Sequence, residues 1–257
     1  MTSHSDIPPA VYLTPGEHLL RCLDVAEPEF NQVSCLFVDN WKHPRSVKPR
    51  PRICAIYEVR LELDSLLSYH SYRNEVQLTT KGSERFFDNG NETLLFHGTD
   101  RLCAIGEHRK SILPCFAPAC RLCCIIRRSY DIRKSRTKHN FSRFGKGVYT
   151  TSCSSKADDY AKNLSDKPKF KAMLVNRVLV GKSAVLTRTN VALSGPPNGY
   201  HSVQGKPGAD LNYPETVVYR DEAIRPAYLV IYGDQRHEKE VALASKIRSL
   251  FRTPLAS

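Results

Sequence analysis

No run of this 257-residue chain approaches the eighteen or so consecutive apolar residues that a membrane-spanning helix needs. Met1 to Leu23 likewise lacks the unbroken apolar stretch of a secretory leader, which predicts a soluble, intracellular protein. Thirteen glycines and sixteen prolines are too few for a collagen-like or low-complexity chain. The nine cysteines are an odd number, a poor fit to a completed disulfide framework, so metal ligation or core packing is the expected use of the thiols. Acids are scarce, 26 against 38 basic residues, and the formal net charge is +12.

Apolar content of 41% and charged content of 25% lie in the ordinary globular range, and the length suits one substantial core. The expected organisation is an N-terminal extension over residues 1–33 and a single domain over 34–257. The positive charge is concentrated. Between Arg101 and Lys146 stand twelve Lys or Arg against two acids, Glu107 and Asp131, a local charge of +10 (12 − 2). Such a field attracts polyanions, whether a pyrophosphate, a nucleic acid or an acidic protein surface, although a solvated basic insertion has the same composition.

Periodicity and turn residues give an α+β reading. Lys42–Arg52 is basic and turn-rich, hence a loop, and its Lys48-Pro-Arg-Pro-Arg52 run could serve as a nuclear address. Ile53–Leu63, Leu94–Phe96, Val148–Thr151, Lys171–Gly181, Ala184–Thr187, Thr216–Tyr219 and Ala227–Tyr232 read as strands. Leu66–Gln77 reads as a helix with a stripe of Leu67, Tyr69 and Tyr72. Ser154–Leu164 reads as a second, capped by Ser154 or Ser155, and Glu238–Phe251 as a third. Ser194–Asn212 reads as a loop.

Three separated segments each couple strand-like residues to one polar or aromatic side chain and glycine: Leu94-Leu-Phe-His-Gly-Thr99, Phe144-Gly-Lys-Gly-Val-Tyr-Thr-Thr151 and Tyr213-Pro-Glu-Thr-Val-Val-Tyr219. In this order, with Ser154-Ser-Lys-Ala-Asp-Asp-Tyr160 ending eleven residues beyond Tyr149, the set resembles the catalytic domain of the poly(ADP-ribose) polymerase-like ADP-ribosyltransferases, over roughly Ile53 to Tyr232. The resemblance implies two packed, mostly antiparallel sheets around an NAD cleft, with flanking helices.

It also implies roles. Cleaving the nicotinamide–ribose bond develops positive charge on the sugar, which a fixed carboxylate stabilises. By similarity Glu215 is that carboxylate, and His97, Tyr149 and Glu215 form the catalytic set. His97 is expected to donate to a ribose hydroxyl, Gly98 and Thr99 to lie against the nicotinamide end, and Tyr149 and Tyr160 to sandwich its ring. Ala157 stands where many relatives have a serine that binds the carboxamide, with Ser155 as a replacement. Pro214 precedes Glu215 where polymerising relatives often have asparagine. The expected reaction is therefore mono-ADP-ribosyl transfer to a protein acceptor with release of nicotinamide. Transfer to nucleic acid through the basic segment, and a non-catalytic basic binding module, are the alternatives.

The basic segment, taken as a Cys-rich insertion over 101–143, also carries Cys103, Cys115, Cys120 and Cys123. Four soft ligands suit a structural Zn2+, with His108 or Cys124 as substitutes. Reduced core cysteines or a redox switch are the competing readings.

Overall fold

The computed structural model describes residues 7–81, 87–108, 111–134 and 142–233. The helix expected over Glu238–Phe251 lies outside these residues. A five-stranded antiparallel sheet forms the centre, in the order β1 (Leu20–Cys22), β2 (Arg52–Val59), β11 (Ile224–Gly233), β7 (Lys171–Leu179), β3 (Glu92–His97). A four-stranded sheet, β5 (Val148–Thr150), β10 (Glu215–Val218), β9 (Ser202–Gly205), β8 (Ser183–Leu186), is antiparallel except where β8 runs parallel to β9. A short parallel pair joins β4 (Asp100–Arg101) to β6 (Lys162–Asn163). The α+β expectation holds.

β7 and β11 lie at the middle of the large sheet and are buried on both faces, as their near-continuous apolar runs require. Proline interrupts β11 only at a bulge, between Pro226 and Tyr228, where a missing ladder donor is tolerated. Polar side chains in this interior are paired: Asn176 donates from Nδ2 to Leu95 O and accepts from Tyr130 Oη, and Arg177 meets Glu92 at 2.7 Å.

Four helices flank the sheets: α1 (Pro28–Asp39), α2 (Leu63–Thr80), α3 (Arg121–Arg128) and α4 (Ser154–Tyr160). In α1, Pro28 occupies a first-turn position where a backbone donor is not needed, and Val33 and Phe37, four residues apart, are fully buried. α2 buries Leu66, Tyr69, Tyr72 and Val76, whereas Leu67 is exposed, so the expected stripe is rotated by one residue.

Other boundaries also move. The end assigned to an N-terminal extension falls inside α1, and β1 pairs with β2, so residues 20–33 belong to the sheet and its flank. The segment expected as a loop from Ser194 to Asn212 contains β9. The helix expected to continue to Leu164 stops at Tyr160 because the chain turns into β6 beside β4. Neither Ser154 nor Ser155 caps it. Ser154 Oγ donates to Phe37 O, so the serine is used to fasten α4 to α1.

Candidate active site at the seam between the two sheets

The two sheets meet at a single bridge, Phe96 to Thr151, where Phe96 N donates to Thr151 O at 2.8 Å and Thr151 N to Phe96 O at 3.1 Å. All three expected catalytic side chains gather around this bridge. His97 follows Phe96 at the end of β3. Tyr149 lies on β5, opposite Val217 of β10. Continuing that register brings Glu215 across from Thr151, and Thr151 Oγ1 secures the entry of β10 by donating to Pro214 O at 2.7 Å. Because side chains alternate along a strand, Glu215 shares the face of Val217 and Tyr149. Residues more than a hundred positions apart are thus fixed by backbone pairing.

Glu215 is 7% exposed. Its Oε1 is 2.5 Å from Lys156 Nζ, while Oε2 is buried with no hydrogen-bond partner among the described residues. A buried acceptor of this kind costs free energy unless something donates to it, and such costs concentrate at functional sites. Lys156 also donates to Tyr213 O at 3.4 Å, and burial lowers its pKa against the raising effect of Glu215. The lysine was visible in the Ser-Lys-Ala segment but drew no role from sequence. Its side chain can reach the carboxylate only because α4 packs across the end of β10.

His97 hydrogen-bonds through Nδ1 to Tyr149 O at 2.8 Å. A carbonyl can only accept, so Nδ1 carries the proton, and burial holds the imidazole pKa below its ordinary value and favours the neutral ring. Nε2 of this tautomer is an acceptor. The expectation that His97 donates to a ribose hydroxyl therefore reverses: the geometry equips it to accept from one. The Tyr130 ring meets the imidazole edge-to-face at 5.3 Å and holds its plane.

The glycines are explained by close packing. A Cβ at Gly98 would sit 1.8 Å from Ala157 O and 2.8 Å from Ala161 N, so α4 rests directly on the backbone of the His97-Gly98-Thr99 segment. Thr99 extends the same seam by accepting from Lys162 N through its carbonyl, at 3.4 Å. Gly145 has φ +73°, and a Cβ there would meet Leu193 O at 1.6 Å. The Tyr149 hydroxyl shapes this turn, accepting from Phe144 N and donating to Gly145 O, both at 2.8 Å.

Tyr160 is 48% exposed, and its hydroxyl pKa is raised by burial and next by Glu215, which puts it on the rim of the same site. Ser155 is not available there. It is fully buried and its Oγ accepts from Lys42 N and His43 N, anchoring the 42–50 loop instead of facing the cleft. Ala157 is buried in the core cluster with Phe37 and Phe96. Next to it, Asp158 is fully buried and takes Lys171 Nζ at 2.6 Å, Tyr232 Oη at 2.7 Å and Lys48 Nζ. Lys48, part of the run that could act as a nuclear address, is thus tied to the underside of α4.

The expected metal ligands, Cys103, Cys115, Cys120 and Cys123, come together on the far side of β4, apart from the seam. Some of the basic charge nearby is internal: Arg101 is 1% exposed and pairs with Glu107 at 2.8 Å, while Arg133, on the surface, pairs with Asp131.

Comparison with protein families places this geometry. The chain matches the poly(ADP-ribose) polymerase catalytic domain over residues 29–210 and belongs to that family. The class is therefore that of NAD-dependent ADP-ribosyltransferases. The matched stretch holds His97, Tyr149 and Tyr160 and ends before Glu215, so the glutamate is tied to the site by the β5–β10 register and by Lys156.

Proposed function

We propose that this protein transfers a single ADP-ribose unit from NAD to a protein acceptor and releases nicotinamide. The observation that carries the proposal is the buried, half-satisfied carboxylate of Glu215 at the seam, held by Lys156 on one oxygen and unpartnered on the other. Glu215 Oε2 accepts from a hydroxyl of the nicotinamide-side ribose, and its negative charge opposes the positive charge that grows on the sugar as the glycosidic bond lengthens. Lys156 keeps the carboxylate in place through this step. Its ammonium partly offsets the charge of Glu215, which favours the elongated bond over the resting one only because the sugar carries no positive charge until the bond stretches.

His97 Nε2 accepts from a second ribose hydroxyl and fixes the sugar's rotation. Tyr149 and Tyr160 bracket the nicotinamide ring, while the backbone of Gly98 is near enough to meet its carboxamide. With Ala157 in place of a serine and Ser155 engaged elsewhere, the carboxamide depends on that backbone, a difference of about 1 kcal/mol in binding for one side-chain hydrogen bond. The division of labour at Glu215 supports single-unit transfer: one oxygen is occupied by Lys156 and the other by the donor ribose, which leaves the carboxylate poorly placed to activate the hydroxyl of a growing chain.

Exposed basic side chains such as Arg133 favour a nucleic-acid acceptor as the second reading. Incubation of the protein with labelled NAD in a cell extract, followed by protease or nuclease digestion, separates the two. Label released by protease and migrating as one unit is the expected result. Label resistant to protease and lost to nuclease, or extended into a ladder, would contradict it.

A further inference from the structure

Cys103 follows β4, Cys115 lies in the loop beyond, Cys120 occupies the N-cap of α3 and Cys123 its first turn. Their four Sγ atoms all lie within 4.8 Å of one another, and Cys103 Sγ is 3.8 Å from Cys120 Sγ and 3.4 Å from Cys123 Sγ. A tetrahedral Zn2+ with Zn–S bonds of about 2.3 Å spaces its sulfurs by about 3.8 Å. We propose that these four thiolates form a closed structural zinc centre that fastens the segment after the His97-Gly98-Thr99 motif to the core.

Three features separate this from an ordinary cluster of core cysteines. First, the spacing is mutual: Cys103 faces two partners at once, whereas disulfide formation would join sulfurs in pairs, and all nine cysteines are free thiols. Second, the neighbouring cysteine is excluded. Cys124 turns the other way, its Sγ 3.9 Å from Pro118 O and 4.0 Å from Ala117 O, so the site takes four of five nearby thiols and needs neither Cys124 nor His108. Third, an outer layer is already in place. Leu102 N points at Cys120 Sγ at 3.4 Å, the kind of N–H···S contact that orients a thiolate ligand. Beside it, Arg101 is buried and locked by Ile105 O, Asn163 Oδ1 and Glu107, bringing positive charge next to a centre whose formal charge, four thiolates on a divalent ion, is −2.

The centre has a short mechanical route to the cleft. Cys120, Cys123 and Leu122 sit in the core cluster with Tyr57, Leu174 and Leu229. From Cys103 the chain runs back through Arg101, which pairs with Asn163 across β4 and β6, to Thr99, whose carbonyl receives Lys162 N. Tyr160 ends the helix just before β6. Loss of the metal frees the outer end of this path and loosens the rim where Thr99 and Tyr160 stand. This consequence for the cleft rests on the functional reading above; the metal centre does not.

The test is elemental analysis of the full chain purified without added metal, with reduced protein reconstituted in Co2+ as an optical probe. The expected result is about one zinc per chain, lost in Cys120→Ser and Cys123→Ser and kept in Cys124→Ser. A thiolate-to-cobalt charge-transfer band with tetrahedral d–d absorption is expected on reconstitution of the native sequence, which keeps the test decisive where a serine variant fails to fold. A native chain with no stoichiometric zinc and no such band would overturn the proposal. Zinc undiminished in Cys120→Ser, or a disulfide among the four in the protein as isolated, would also overturn it. A chain that holds zinc yet releases no nicotinamide would leave the metal centre standing and count against the enzymatic reading alone.

Discussion

Replacing Gly98 with alanine separates two reasons for a glycine beside the catalytic histidine. If the glycine only lets a ligand approach the backbone, Gly98→Ala leaves the free protein intact and weakens NAD binding alone. The structure requires more. The added methyl would lie 1.8 Å from Ala157 O, far inside the 3.0 Å that side-chain carbons essentially never breach, and 2.8 Å from Ala161 N. Both obstacles are backbone, and Ala157 O already accepts from Ala161 N at the end of α4, so no rotamer change relieves the clash. α4 must move away from β3 by more than an ångström. Overpacking of this kind costs about 1–3 kcal/mol, occasionally more, and a backbone obstacle argues for the upper end. For a domain of this size, about 3 kcal/mol lowers Tm by roughly 6–12 °C. The displaced helix carries Lys156 and Tyr160, so nicotinamide release should fall with stability. Thermal and urea unfolding of Gly98→Ala beside Gly195→Ala, where a Cβ meets nothing within 4 Å, provides the assay and its control. The alanine at 195 should stay within about 0.5 kcal/mol of wild type. A Gly98→Ala protein with wild-type stability would refute the packing argument even if its NAD binding were lost.

Lys156→Met removes the one cation on a nearly buried carboxylate, and kcat/KM should fall at least tenfold, about 1.4 kcal/mol, with partial recovery in Lys156→Arg; steady-state kinetics decide it. Tyr149→Phe deletes the hydroxyl that serves Phe144 N and Gly145 O, and the unfolding free energy should drop by about 1–3 kcal/mol while the ring face stays available for nicotinamide. Burial depresses the pKa of His97, and His70 and His201 shift the same way for the same cause. For these groups the unfolded chain takes up protons first. Their contribution is complete above about pH 6.5 and declines as pH falls from there toward the folded-state values. Unfolding midpoints at about pH 7.5 and about pH 5.5 should show this loss, reduced in His97→Asn; an equal acid sensitivity in that variant would contradict the assignment of His97 to the neutral ring.

The chemistry-bearing residues were more legible than the scaffold around them. His97, Tyr149 and Glu215 stood out because strand termini, glycines and single polar groups recur together, and the long apolar runs of β7 and β11 announced a sheet centre. β1, β4 and β6 were hidden by their length of two or three residues, too short for any periodicity. α3 was masked by its cysteines, which bury like small hydrophobes but were weighed as ligands, and β9 by the glycines and prolines on either side of it. The serines of α4 misled in a more specific way. They match a helix-capping pattern, yet their hydroxyls reach α1 and the 42–43 backbone, partners more than a hundred residues away. Lys156 was invisible for the same reason: its meaning depends on α4 crossing the end of β10, a tertiary fact.

The central claim, that Glu215 at the seam drives cleavage of the nicotinamide–ribose bond, is tested most directly by nicotinamide release from NAD by the wild type and by Glu215→Gln, each first shown to be folded and to bind NAD. The glutamine keeps the shape and removes the charge. The account predicts release by the wild type and a loss on the order of 10²–10³ in kcat for the variant; equal rates in the two proteins would contradict it.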